Sequence, residues 1–480
     1  MARKQTRSTN MFGRAARASK RSVNGTIAAL ALVLAVTIPV GAQQPPPIRG
    51  TINQNGQKPS IAIPDFRGSG AAAQFMSVFN QTVEKDIEGA GALTFVAKSM
   101  YPIQVPQQPS DLLSGPPSPP GRGVNGMKLA DWSNPPVGAN YIGIGYAAEQ
   151  NSQFVLFGWL FDTSQANNLQ GAQALGKIYT GTLNEDGATQ VAHQYAADIL
   201  AIFGVKSLIG TRIVFVSNRT GAKEIWTMNW DGTNQHALTH YGTISSFPSV
   251  SPDGSKVAFT SWLKESPRII LFSLETGRQL PFYNQRASMN CCLSFSPDGK
   301  QVIFSSTAAG GPAQLYMANT DGSGFHRLTS SGAIDTEPKI NPKTGRDIVF
   351  VSGRGGGNPQ IYLMTLGGDA ERLTDGTGDA VNPAWSPDGT KITFAWTRGY
   401  APGNFNIFIL DVASRQLTQL TNNEGRNENP SWAPDGSHLI YANKRGGNSQ
   451  LWTMLADGTQ KKEITNTGSN EKPVWAPAAQ

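Results

Sequence analysis

Pro248-Ser-Val-Ser-Pro-Asp-Gly254 returns along the chain as Ser294-Phe-Ser-Pro-Asp-Gly299, Pro338-Lys-Ile-Asn-Pro-Lys-Thr-Gly345, Pro383-Ala-Trp-Ser-Pro-Asp-Gly389, Pro430-Ser-Trp-Ala-Pro-Asp-Gly436 and Pro473-Val-Trp-Ala-Pro477. The second proline of each mark falls at 252, 297, 342, 387, 434 and 477, so the steps are 45, 45, 45, 47 and 43 residues. A repeat of this length suits one four-stranded propeller blade. A short apolar strand follows each of the first five marks, at 257–261, 302–306, 348–352, 392–396 and 439–443. Next comes a strand that ends in another turn, as in Gln314-Leu-Tyr-Met-Ala-Asn-Thr-Asp-Gly322. A brief edge strand, such as Arg327-Leu-Thr329 or Arg372-Leu-Thr374, completes the unit. Asp-Gly suits the tight turns because glycine takes a positive φ without steric cost.

The two ends of the repeat are complementary. The unit beginning at Ile213 has outer strands with no mark before them, and the mark at Pro473–Pro477 has no strands after it. Together they make one blade, with the inner strand supplied late in the chain and the outer three early. Such a join closes the ring and leaves few exposed edges. The spacing therefore predicts a six-bladed β-propeller over residues 206–480.

Residues 43–205 read differently, as a small α/β domain. Ile61–Ile63 and Leu93–Ala97 are strand candidates, and Phe75, Val78, Phe79, Val83 and Ile87 fall on one helical stripe between them. Seven prolines between Tyr101 and Gly121 predict a loop over 101–121. Strands at 141–146, 154–161 and 176–182 and a helix from Thr189 to about Phe203 complete the expected fold class: a small α/β N-terminal domain followed by an all-β six-bladed β-propeller.

The formal charge of +7 suggests nucleic acid until the charges are located. Residues 1–42 hold seven Lys or Arg and no acid, and without them 33 basic residues face 33 acidic ones. The basic balance therefore points to no nucleic-acid partner. The same stretch has the form of a secretory signal: a basic start, an apolar run from Ile27 to Val40, and Val40-Gly41-Ala42 before the expected cleavage. The run is 14 residues long, short of the roughly 20 needed to span a bilayer. Cys291 and Cys292 are the only cysteines and are adjacent. They exclude a structural disulfide framework and read as small buried side chains.

Catalytic and metal chemistry find little support. The chain contains no Gly-x-Ser-x-Gly elbow. His193, His236, His240, His326 and His438 show no metal or triad spacing and read as exposed or locally bonded. Gly121-Arg-Gly-Val-Asn-Gly126 matches a phosphate-cradle pattern but follows prolines rather than a strand. Asp253, Asp298, Asp388 and Asp435 each precede a turn glycine, which accounts for them without calcium. Trp385, Trp432 and Trp475 occupy equivalent places and read as wedges between blades rather than a ligand cage. Neither an enzyme nor a cofactor is expected. The connections before the marks, at 241–246, 284–292, 330–337, 375–382, 422–429 and 466–472, are polar and converge on one face, as binding loops on a rigid scaffold do.

The arrangement resembles the TolB family of the Tol-Pal envelope system. Beyond the six marks, the resemblance rests on Ile61-Ala-Ile-Pro-Asp-Phe66, Ala130-Asp-Trp132, Phe154-Val-Leu-Phe-Gly-Trp-Leu-Phe-Asp162 and Gly210-Thr-Arg-Ile-Val-Phe-Val-Ser217. It implies a periplasmic, monomeric binding protein that reaches membranes only through its partners. Those partners are a Pal-like peptidoglycan-associated lipoprotein at the propeller face and a TolA-like protein at the N-terminal domain. The linkage maintains outer-membrane integrity and supports constriction at cell division. By position, the family's Pal-contacting loops correspond to Met289, Asn290 and Cys292 and to Thr336 and Glu337. The family's TolA-type segment corresponds to Ile48, Arg49, Thr51 and Ile52. Met289 and Cys292 depart from the family pattern, as do the prolines at 45–47 and after Tyr101. The alternative is a diverged TolB-like scaffold or sensor that binds another envelope component.

Overall fold

The computed structural model describes residues 58–119, 126–264 and 266–478. The signal segment, the residues Ile48, Arg49, Thr51 and Ile52, and the Gly121–Gly126 match up to its last glycine lie outside the described residues. Among the described residues, no helix is long and apolar enough to cross a membrane.

The α/β part is built on a sheet in the order Thr94–Phe95, Ser60–Ala62, Tyr141–Gln150, Gln153–Asp162, Gln173–Thr182, with Arg67–Ser69 also paired to the 141–150 strand. The short strands pair in parallel and the three long ones antiparallel. Helices Met76–Gly89 and Glu185–Ile202 cover one face. Phe79, Val83 and Ile87 from the first meet Val191, Tyr195 and Ile199 from the second over Phe154 and Leu156. Asn184 caps the second helix by accepting from the Gly187 amide at 2.8 Å, and Glu185 and Asp186 face its positive end.

Among its described residues the proline-rich stretch forms only a short turn at Pro109–Asp111 and a single bridge from Leu113 to Lys128, because each proline removes a backbone donor. It nevertheless builds core. Leu112 joins Leu129 and Trp132 over the other sheet face, against Ile142, Ile144 and Phe161. The Trp132 indole donates to the Gly126 carbonyl at 2.8 Å. Tyr101 donates to the Val96 carbonyl at 2.9 Å and accepts the Ile63 amide at 3.1 Å. Burial pushes its phenol up to about 12.

The propeller has six four-stranded antiparallel sheets. The inner strands are Ser245–Val250, Asn290–Phe295, Asp335–Ile340, Ala380–Trp385, Arg426–Trp432 and Asn470–Ala476, here blades 1 to 6. In blade 6 the inner strand pairs with Arg212–Thr220, which leads to Ala222–Asn229 and His236–Ala237. Both ends of the repeat thus share one sheet, as its incomplete first and last units require.

A polar device recurs in the blades. Glu224, Gln314, Gln360, Asn406 and Gln450, near the start of the third strand, accept from the hydroxyls of Thr239, Thr329, Thr374, Thr421 and Thr465 beyond the edge strand. Each hydroxyl oxygen also accepts an amide from the third strand, at 2.8–3.1 Å. Blade 1 uses Asn284, whose side chain bonds both backbone groups of Ile269 at 2.8 Å. The device pins the start of each connection toward the channel. Thr465→Val keeps the shape but orphans the buried Leu451 amide. Urea titration is expected to show a loss of about 1–3 kcal/mol. Thr459→Val, at an exposed turn, is expected to cost less than about 0.5 kcal/mol.

The α/β part meets the propeller at the Asp-Gly ends of blades 5 and 6. His438 bonds the Gly89 carbonyl at 2.7 Å, Lys85 lies 3.7 Å from Asp231, and His193 packs edge-on to Trp230. Gly91, at φ 63°, lies so close that an added Cβ would sit 2.8 Å from Leu455. The positive φ favours glycine there, and a larger residue would have to displace the end of the Leu455 side chain. The connections before the marks lie at the opposite ends of the inner strands, away from this joint.

Candidate functional site

Proline cannot serve inside an ordinary strand, yet the inner strands carry it in five of six blades. The strands accommodate it with a β-bulge, marked by register shifts at 246/249, 291/294, 336/339, 381/384, 428/431 and 471/474. The residue in each bulge has a positive φ: Phe247, Cys292, Glu337, Asn382, Asn429 and Lys472, between 51° and 61°. This conformation is unfavourable for residues other than glycine, by roughly 1–2 kcal/mol each. Its repetition in all six blades ties it to the channel, because these six side chains line one central cavity of 270 Å³.

The ring is linked from blade to blade. The Asn382 amide donates to Glu337 Oε2 at 2.9 Å, and its side-chain amide donates to the same oxygen at 3.1 Å. The Asn429 amide donates to Asn382 Oδ1 at 3.2 Å. Lys472 Nζ lies 4.1 Å from the centre of the Phe247 ring, a cation–π contact between blades 6 and 1. Deeper in, Trp385, Trp432 and Trp475 line the cavity and wedge between blades. Trp385 donates to the Lys339 carbonyl at 3.0 Å and Trp475 to Thr211 Oγ1 at 3.0 Å. Among the described residues, no group of three or more His, Cys, Asp or Glu is placed to hold a metal ion.

The outer rim is divided. The residue before the inner strand is Ile244, Met289 and Ile334 in blades 1 to 3, with Ile244 47% and Ile334 58% exposed. In blades 4 and 6 the same place holds Asp379 and Ser469, and in blade 5 Arg426 occupies the corresponding position. An apolar arc thus borders one half of the channel mouth and a polar arc the other.

Residues 200–478, more than half of the chain, match the family model described as the TolB beta propeller domain. The chain belongs to the TolB family. The TolB homologues of Chlorobium chlorochromatii and Chlorobium luteolum are 34% identical over 227 residues and 31% over 234. These matches cover 45% and 48% of this chain and 47% and 50% of theirs, so the chain spans about half the length of the curated relatives it matches. The crystal structure of TolB from Acinetobacter baumannii superposes with a TM-score of 0.69 at 24% identity, covering 88% of this chain and 97% of that one. That likeness supports the fold, including the α/β part.

On this TolB propeller, the residues singled out from the sequence divide into two groups. Cys292 and Glu337 belong to the ring, and Met289 to the apolar arc. Thr336 lies beside them, its hydroxyl 3.8 Å from Cys292 Sγ and accepting from Ser305 at 3.3 Å. Asn290 is buried and structural, donating to the Gln285 carbonyl at 2.9 Å and accepting from Ser306 at 2.7 Å. Cys291 and Cys292 are both buried free thiols, and the hydrogen bond between them, with burial, pushes the Cys291 thiol up. Phe247 lies just outside the connections read from the sequence as the binding face, and Asn382, Asn429, Lys472, Ile244 and Ile334 lie within them without having been singled out. The signal for the first four was available: each is the residue immediately before the first proline of a mark.

Proposed function

We propose that this chain is a periplasmic, non-enzymatic binding protein of the Tol-Pal system. Its channel face takes a Pal-like lipoprotein, and the segment containing Ile48, Arg49, Thr51 and Ile52 takes a TolA-like protein. The pair of contacts links the two membranes, maintains outer-membrane integrity and supports constriction at division. The chain acts as a monomer and reaches membranes only through these partners.

The observation that carries the reading is the channel mouth. An apolar arc of Ile244, Met289 and Ile334 stands beside a hydrogen-bonded ring, on the end of the blades away from the α/β part. Apolar anchors bordered by polar groups are the anatomy of a protein interface. The six turned residues keep their strained backbone only because the blades over-determine it, which is the behaviour of a pre-organised site. Capture of a Pal-like lipoprotein by the purified chain tests the reading. Replacing Met289, Ile334 and Glu337 together by alanine is expected to weaken capture about thirtyfold or more. Unchanged capture overturns the assignment of this face.

A further inference from the structure

We infer that the propeller channel is a binding site for a small oxyanion, a carboxylate or phosphate group held by Lys339 and Lys472. The inference goes beyond the proposed partner role and centres on a deeper layer of the channel, with Lys472 shared with the ring. Two residues after each ring position, the six blades place Ser249, Ser294, Lys339, Ala384, Ser431 and Val474 on the channel wall. Five are small and leave the lumen open. Lys339 alone is long, so its stem carries an ammonium into space that the other five blades vacate.

That ammonium has no hydrogen-bond or ion-pair partner among the described residues. The obvious counter-charge, Glu337, is two residues away on the same strand, but its carboxylate accepts from the backbone and side-chain amides of Asn382. Burial holds the Lys339 ammonium below the usual lysine range; Glu337 opposes this and Lys472 adds to it. Lys472, in the ring above, lies over the aromatic ring of Phe247. Two ammonium groups therefore address one cavity whose single lining carboxylate is already engaged. The surrounding wall is Trp385, Trp432, Trp475 and several prolines. Such a wall lowers the local dielectric and strengthens attraction for an incoming anion. The 270 Å³ available accommodates a small acid with a few waters.

The anionic group has two conceivable sources, a free solute or an acidic side chain of the docked partner, and the experiment separates them. The purified full chain, in a buffer free of other oxyanions, is titrated with inorganic phosphate and with acetate, read by calorimetry and by tryptophan fluorescence. Saturable binding of at least one anion is expected. Lys339→Met is expected to weaken it at least about tenfold, with Lys339→Arg retaining it and Lys300→Met, at an exposed turn, leaving it unchanged. Circular dichroism confirms that the variants fold. Absence of saturable binding, or binding that Lys339→Met leaves intact, overturns the inference. With a Pal-like lipoprotein present, competition between that anion and the lipoprotein identifies the partner's carboxylate as the natural occupant, whereas simultaneous binding identifies a free solute. Failure of the lipoprotein to bind at all would count against the proposed function while leaving the anion titration to decide this inference.

Discussion

Replacing Asp335 by alanine is expected to lower the unfolding free energy of the chain by about 3–5 kcal/mol, measured by urea denaturation. The Asp335 side chain is fully buried at the start of the blade 3 inner strand. It accepts from Ser352 at 2.6 Å, Ser331 at 2.9 Å and Arg354 Nη2 at 2.7 Å. Arg354 is held over the rings of Phe350 and Tyr362, 5.2 and 5.4 Å from their centres. Removing the carboxylate leaves a guanidinium in an aromatic slot without its counter-charge, and leaves the buried Ser352 hydroxyl without its acceptor. The equivalent residues in the other blades are Ser245, Asn290, Ala380, Asn427 and Asn470. Blade 3 alone uses a charge there; in blade 6 the equivalent arginine, Arg219, donates to the neutral Asn470 at 3.2 Å. Arg354→Met added to Asp335→Ala is expected to recover part of the loss. A loss below about 1 kcal/mol for the single variant would show that the pair is not the fastener of this blade. Because Asp335 also ties down Ser331, the same variant is expected to loosen the connection that presents Ile334.

Much of this architecture is legible in the sequence because propeller geometry is periodic. Six marks at a near-constant step define the inner strands, and the incomplete first and last units define the closure. The site was harder to read because it depends on local irregularity inside those strands. A proline in an inner strand signals a bulge, and the bulge turns the preceding side chain into the channel. Cys292 and Glu337 emerged from family resemblance and Asn382, Asn429 and Lys472 fell within the connections, but that they form one ring with Phe247 required the bulge rule. Asn290 shows the converse. It is polar and lies in a connection, which reads as binding, but its place at the strand start buries it and commits its amide to the blade. Leu112 and Trp132 illustrate a third case, since nothing in a proline-rich composition indicates that the segment covers a sheet face.

The joint between the two parts was also hidden, and it supplies a pH dependence. In three blades the turn aspartate accepts from the serine two residues before it, as Asp298 does from Ser296 and Asp388 from Ser386, each at 2.6 Å. Blade 5 has Ala433 in that place, which leaves Asp435 free to accept from His438 Nδ1, also at 2.6 Å. His438 Nε2 faces the Gly89 carbonyl, the last residue of the Met76–Gly89 helix. Both ring nitrogens thus face acceptors, and only the imidazolium donates to both. Burial alone would lower its pKa, but the hydrogen bond to Asp435, that carboxylate's charge and the Gly89 carbonyl together hold it above the usual histidine range. A positive charge at a helix C-terminus is also favourable. Since the folded pKa exceeds the unfolded one, the stabilisation is complete below about pH 6.5 and is lost as pH rises through the folded value. The thermal midpoint is therefore expected to fall between about pH 6 and pH 9, with about 1–2 kcal/mol lost at this site. His438→Gln is expected to destabilise the chain at pH 6 and to flatten the profile above it. The neighbouring Lys85–Asp231 and His193–Asp86 pairs remain in the variant and act as internal controls. A variant profile parallel to that of the natural chain would show that His438 is not the source of the pH dependence.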